Sequence, residues 1–431
     1  MSLKIGFLTE RLLLGFGVDL VAHQQGRYLI ERGHEVEVFC LTADATVDRP
    51  YKVTNLTNCD GFVLTGSISS NLLILAEFIN RQDIDIWVVH TSPFYEVIPL
   101  LKRPVIAIEY GTPPSSFFAP EIGRNLDFAV SYRFKHIFPR FRDQDKILSI
   151  SGSIQNWLPP SVHRFAEVLY LGSNHYPEAE GSDAQRFRRA LGIADDAVAM
   201  LWVGRIQVTE DQQPYKGFAD FIQLAERLRA AEPELEIVVV GRGDKEAEAY
   251  LEERGLIPCL NLPEADMGSA YKACDVLVNT SQWEGFNLPL IESQFQGTPV
   301  VAYRHGPHPE VVQDGSTGFL VSSSEEMENA ALSLVRDSGL REKLGQRARV
   351  FAREFSWQKN GQELERIIMK SVSTAASDGR KDSPAIAVSG WRRYAFLVMD
   401  TYIRYGLMDV ARRTVKSFCG RLAVMLQRRA V

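Results

Sequence analysis

Residues 279–301 read NTSQWEGFNLPLIESQFQGTPVV, and the punctuation of this stretch decides the fold. The apolar run leading into Asn279 ends in polar residues, and β-branched residues return after Gly297, so the order is strand, loop, helix, strand. Pro289 suits a first helical position, where no N–H is needed, and Gly297 suits a C-terminal cap before Thr298-Pro299. That spacing puts Glu284 in the loop and Glu292 in the first helical turn. Two carboxylates therefore flank a helix start whose unpaired amides attract anions.

The same alternation runs outward in both directions. KIGFLTE (4–10), HEVEVFCL (34–41), DIDIWVVH (83–90), PVIAIEY (104–110), KILSIS (146–151) and VLYLG (168–172) are strand-like runs separated by helical patterns. After GSNHYPEAEGSDA (172–184), a Gly/Ser/Pro/acidic stretch suited to a linker, the pattern restarts with AMLWVGR, LEIVVVGRG, IPCLNL, DVLVNTS, PVVAYR and GFLV. Alternation of this kind signals βαβ units on a parallel sheet. The fold class expected is α/β, with two Rossmann-like doubly wound domains facing a cleft. Ligands of such sheets bind at the carboxyl ends of the strands.

Composition agrees. At 431 residues the chain exceeds one ordinary core, and 45% hydrophobic with 24% charged residues describes a soluble globular protein. The start, MSLKIGFLTERLLL, is broken by Lys4, Glu10 and Arg11 and reads as a first strand rather than a signal peptide. Five cysteines without a C-x-x-C pair suggest a reduced cytoplasmic protein with no zinc site. The net charge of −6 is uneven: residues 391–431 hold nine Arg or Lys against two Asp, so this tail is +7 and the rest of the chain −13. An acidic body argues against nucleic acid as a partner, while the tail suits an anionic membrane surface.

Candidate ligand residues fall at strand ends. Gly15 and Gly17 follow the first strand and open a helix, where bare backbone can approach a ligand, although G-x-G without a third glycine is a weak dinucleotide fingerprint. Gly204 and Arg205 close the first strand of the second domain, and Lys216-Gly217 opens the next helix. Cations there suit a diphosphate. Amides of Gly285, Phe286 and Asn287 suit phosphate oxygens, whereas Glu284 and Glu292 repel phosphate unless they accept bonds from hydroxyls. A diphosphate flanked by hydroxyl-rich groups meets both demands, which describes a nucleotide-diphosphate sugar. Taken singly, Arg205 and Lys216 also read as solvated loop charges, Glu292 as a complement to the helix dipole and Glu284 as a surface acid.

Together these residues resemble a known family. EGFNLPLIE (284–292) resembles the E-x7-E signature of the family-4 retaining glycosyltransferases, GTPVVAYRHGPHPEVVQDGSTGFLV (297–321) their next block, LWVGRI…YKGF their Arg…Lys pair and RYLIERGHEVEVF an early block, over about residues 4–372. The resemblance implies a GT-B architecture: an acceptor domain at 1–172, a nucleotide-sugar domain at 173–355 and a crossover helix at 356–372 returning to the first domain. A linker at 373–390 and a basic amphipathic helical tail at 391–431 would complete the chain. It also implies roles: Arg205 and Lys216 stabilise the leaving nucleoside diphosphate, Glu292 holds the ribose hydroxyls, and Glu284 contacts the transferred sugar with the amides of residues 285–288, Leu288 included. Fixed cations and a helix start then replace a metal or other cofactor. Asp83-Ile84-Asp85 resembles a D-x-D metal motif but suits acids leading into a buried strand.

Three departures accompany the resemblance. The Arg205–Lys216 interval is longer than usual. Asn287 replaces a glycine and adds a side chain where the sugar should lie. Tyr110 takes the place where relatives have a histidine beside the sugar, and His90 is a weaker substitute with a structural reading of its own. The function expected is glycosyl transfer to an acceptor hydroxyl in polysaccharide, glycolipid or glycoside biosynthesis. The alternatives are another GT-B reaction, epimerisation or hydrolysis, and an inactive nucleotide-sugar-binding subunit. The tail stripe of Phe396, Met399, Ile403, Leu407 and Val410, and the basic-aromatic SYRFKHIFPRFR (131–142), suggest peripheral contact with the inner face of the cell membrane. Packing of the tail on the first domain is the alternative.

Overall fold

The computed structural model describes residues 2–13, 15–44, 47–57, 68–206, 208 and 213–377. The first sheet holds β1 (Lys4–Leu12), β2 (Glu35–Ala43), β3 (Lys52–Asn55), β4 (Ile86–Val89), β5 (Val105–Glu109), β6 (Lys146–Ser149) and β7 (Ala166–Val168), in the order β3-β2-β1-β4-β5-β6-β7. The second holds β8 (Ala199–Arg205), β9 (Glu236–Arg242), β10 (Ile257–Leu260), β11 (Val276–Asn279), β12 (Val300–Tyr303) and β13 (Gly318–Val321), in the order β10-β9-β8-β11-β12-β13. All strand pairs named here are parallel. Every residue of β4, β5 and β11 is buried, the mark of strands covered on both faces. Each order reverses once, between β1 and β4 and between β8 and β11, and these switch points set where a ligand binds.

One tryptophan fills the same niche in each sheet. The Trp87 indole occupies the space a Cβ on Gly6 would take, 2.2 Å from its ring, and Trp202 lies 2.4 Å from the corresponding point on Gly204. Gly204 is thus a glycine for packing reasons of its own.

Three expectations need adjusting. The short edge strand β3, KVTN, has no apolar run and escaped the pattern. Within the stretch 172–184, Glu180 and Asp183 form a capping box that starts the helix Gly181–Ala190, so its second half is a helix start rather than a linker. The crossover helix is Trp357–Ser377, and residues 373–377, read as linker, belong to it. It returns to the first domain, where Gln25 Nε2 donates to Asn360 Oδ1 at 3.1 Å, Tyr28 packs on Gly361 and Glu365 meets Arg32 and His34.

Part of the SYRFKHIFPRFR stretch is internal structure, while Lys135 and Arg140 are exposed. Phe138 and Phe141 are buried, Arg133 pairs with buried Glu109 at 3.0 Å, and Arg142 binds Asp145 and the carbonyls of Leu101, Lys102 and Arg103. The linker beyond Ser377 and the tail lie outside the described residues. No helix among the described residues is long and apolar enough to cross a membrane.

Candidate active site

Lys216 reaches the switch point because Gly217 lets it. Gly217 has φ +69° and caps the helix Phe218–Ala231, and a Cβ there would lie 2.1 Å from the Thr280 carbonyl oxygen. Thr280 Oγ1 donates to Gly217 O at 2.7 Å and accepts from Trp202 Nε1 at 3.1 Å, while Gln282 N donates to Tyr215 O at 2.7 Å. The loop after β11 is thereby stitched to the loop before that helix. Lys216 Nζ then lies 2.9 Å from both oxygens of Glu284, which is 8% exposed.

Arg205 enters the cleft from the end of β8. Its guanidinium sits 5.1 Å from the Phe16 ring, with Arg242 at 4.7 Å and Arg11 at 4.1 Å, so three cations surround one ring from the first domain's β1 loop. Burial, and then Arg11, lower the Arg205 pKa, while the Tyr215 phenol favours its charge. Gly15 has φ +72° and passes the Arg242 guanidinium, which a Cβ would approach to 2.5 Å, and Gly17 faces Leu288. Residues 207 and 209–212, within the long interval, lie outside the described residues.

Glu292 is one turn further along than expected. The helix is Leu288–Phe295 with Pro289 second, so Glu292 falls in the second turn and its carboxylate turns toward buried partners. Tyr271 OH donates to Oε2 at 2.5 Å, and His175 Nε2 stands 3.1 Å from Oε1 in charge proximity rather than an aligned hydrogen bond. Trp357 Nε1 donates to His175 Nδ1 at 3.2 Å, linking the crossover helix to this carboxylate. Burial, reinforced by Glu292, holds the Tyr271 phenol well above its usual range. No spacing in the sequence signals Tyr271 or His175, because both reach Glu292 through tertiary packing.

Asn287 does not crowd the sugar position. With φ +74°, its Nδ2 donates to Asn279 Oδ1 at 3.0 Å and to His308 Nε2 at 2.8 Å, and the side chain is 4% exposed. It turns into its own domain because two acceptors wait there. His308 accepts at Nε2 and donates from Nδ1 to Tyr303 O, and burial lowers its pKa to about 3.

The other expected residues sit at the domain contact. Gly285 lies against the Tyr110 carbonyl, which a Cβ would approach to 2.3 Å, and its own carbonyl accepts from Ser151 Oγ at 2.8 Å. Phe286 is a core side chain against Tyr170 and Phe355. Only the backbone of these two residues is available to a ligand. Half-buried Tyr110 shares a 2.9 Å hydrogen bond with His90 Nδ1. His90 is fully buried, with its pKa lowered to about 3 by that burial, so it stays a structural residue.

Glu310, to which the sequence reading gave no role, ties the domains together. Its carboxylate accepts from Gly152 N and Ser153 N at 2.7 Å each and from Tyr170 OH at 2.9 Å. Asp83 and Asp85 bind the side chain and amide of Lys4 as lead-in acids to β4. Among the described residues no three His, Cys, Asp or Glu side chains gather as metal ligands.

Two Rossmann-like sheets, with paired loops meeting across one cleft, define the GT-B class of glycosyltransferase fold. Sucrose-phosphate synthase from Thermosynechococcus elongatus superposes with a TM-score of 0.69 at 17% identity, over 86% of this chain and all of that one. Anabaena HepE in complex with UDP-glucose gives 0.68 at 19%, over the same shares. These likenesses carry the fold. Residues 183–351 match the family model of the glycosyl transferases group 1. Among curated relatives, the D-inositol 3-phosphate glycosyltransferase of Geodermatophilus obscurus is 34% identical over 241 residues, 49% of this chain and 52% of that protein. That of Corynebacterium kroppenstedtii is 30% identical over 223 residues, 48% of each. The chain thus spans about half the length of the curated relatives it matches.

Proposed function

We propose that this protein transfers a sugar from a nucleotide-diphosphate sugar to an acceptor hydroxyl, with retention of configuration and without a metal. The observation that carries this reading is the Lys216–Glu284 pair, 2.9 Å from Nζ to each oxygen, at the start of the Leu288–Phe295 helix on the switch point of the family-matched domain. As the bond to the sugar breaks, negative charge grows on the diphosphate, and Lys216, Arg205 and the amides of residues 285–288 stabilise it where it develops. Glu292, fixed by Tyr271, takes the ribose hydroxyls; Glu284 takes a hydroxyl of the transferred sugar.

The inward turn of Asn287 and the Tyr110–His90 bond support an active enzyme, since neither departure obstructs the cleft. The test is acceptor-dependent release of nucleoside diphosphate from a panel of nucleotide sugars, with and without excess EDTA. Release that depends on acceptor and survives EDTA is expected. Release at the same rate without acceptor makes the protein a hydrolase. Failure of every nucleotide sugar to raise thermal stability, where ~100 times Kd should add roughly 2.7 kcal/mol, overturns the reading altogether.

For location we propose the cytoplasm, with the tail at 391–431 holding the enzyme on anionic lipid. The +7 charge and apolar stripe of the tail support this. Co-sedimentation with anionic vesicles at low salt should need residues beyond Gly390. Equal binding of full-length and shortened protein removes the tail from that role.

A further inference from the structure

A cavity of about 860 Å³, within the range of ligand sites, has walls from both domains. Most of its wall is first-domain: the loop after β5, the helix Pro120–Tyr132 and the residues that follow it, and the end of the helix Gly152–Trp157. One wall, Trp283, comes from the second domain and is the chain neighbour of Glu284. The cavity is therefore complete only when the domains face each other.

Its lining has a particular chemistry. Trp157 is 38% exposed and meets Phe134 edge to face at 4.8 Å between centroids. Trp283 is held against Tyr215 at 5.7 Å, and its indole fits because Gly111 has no side chain, a Cβ there falling 3.0 Å from the ring. The hydroxyls of Thr112, Ser115, Ser131 and Ser161 and the Asp127 carboxylate also line it. Two indoles sharing one lining with hydroxyls and an acid, alongside apolar Leu126, Val130 and Phe134, match a pyranose ring, apolar on its C–H face and hydroxylated at its edge. A hydrocarbon chain leaves these polar groups unmatched. A phosphate finds Lys135 as the one cation of the lining, balanced by Asp127.

We infer that this cavity is the acceptor subsite, and that the acceptor is a sugar residue stacked on Trp157 and Trp283. The inference rests on the proposed glycosyl transfer and names its acceptor class. Trp157 is well placed for this, because its helix begins at Gly152, where Glu310 of the second domain holds the first amides, and its other end presents the indole.

The test uses full-length protein and tryptophan fluorescence, with methyl glucoside, octyl glucoside and decyl phosphate titrated with and without UDP, ADP or GDP. Both glucosides should bind with similar affinity. Trp157→Ala should weaken both by roughly tenfold, leave nucleoside diphosphate affinity unchanged and leave the melting temperature near wild type, since this side chain is exposed. Trp157→Phe should recover part of the loss by restoring a ring. The inference fails if octyl glucoside and decyl phosphate bind while methyl glucoside does not, which makes the cavity an alkyl site. It also fails if Trp157→Ala binds methyl glucoside like wild type, or if no glucoside saturates. Absence of nucleoside diphosphate binding in the wild type counts against the donor reading instead, and the glucoside titration without nucleotide keeps the two failures apart.

Discussion

Each domain buries one tryptophan against a sheet glycine, yet the two are wired differently. Trp87 Nε1 has no hydrogen-bond partner among the described residues. Trp202 Nε1 donates to Thr280, which donates on to Gly217 and so fixes Lys216 beside Glu284. The second domain uses its core to set its chemistry. In the first domain, the residues facing the cleft are ordered by local pairs such as Tyr110 with His90 and Arg133 with Glu109. The proposed donor site is thus preorganised by one body, while the proposed acceptor side is shaped by loops that can differ without disturbing it.

If that contrast is right, damage in the second domain should be the more costly to turnover. Lys216→Ala removes a cation where the leaving group charges and leaves Glu284 without it; kcat should fall roughly 10²–10³-fold, about 2.7–4 kcal/mol. A change in donor affinity alone would assign Lys216 to binding only. Glu284→Gln and Glu292→Gln should each lower kcat/KM about ten- to a hundredfold with the circular-dichroism spectrum unchanged, as expected for loss of a bond to a charged group. Wild-type rates in both folded variants would remove the carboxylates from the site.

Acid should probe both domains alike. His90 in the first and His308 in the second each have a folded pKa lowered to about 3, against an unfolded value near 6.5. The unfolded chain therefore binds the protons first, and stability present above about pH 6.5 is lost as pH falls toward 3. Each histidine should contribute about 1.4 kcal/mol per pH unit below that point, read by urea unfolding between about pH 6.5 and 5. A flat profile would mean the rings are not held neutral. Smallest of all, Tyr271→Phe removes one donor to Glu292 and should cost about 0.5–1.5 kcal/mol in donor affinity, measured by calorimetry. A loss confined to thermal stability would make that bond purely structural.

How much could be read in advance follows the same divide. All six strands of the second sheet are apolar runs, and the inner ones must be, because parallel strands covered on both faces bury their side chains. Edge strand β3, half-exposed and short, carries no such run. Glu284, Lys216 and Arg205 stand out as charges at strand ends. Tyr271 and His175 do not, since a phenol in one helix and an imidazole before another become partners of Glu292 only through packing. The direction of Asn287 depended on Asn279 and His308, residues with no sequence motif between them, so the side chain looked like an obstruction when it is a brace.

Glu310 adds a kinetic consequence. Three donors from two separate parts of the chain, two amides at the head of one helix and a phenol beside the domain junction, converge on its single carboxylate. A hinge rotation that parted the cleft at this point would release all three together, and the carboxylate would be rehydrated in one event. Under the proposed reaction, the escape of spent nucleotide would then be paced by a residue outside the proposed substrate contacts.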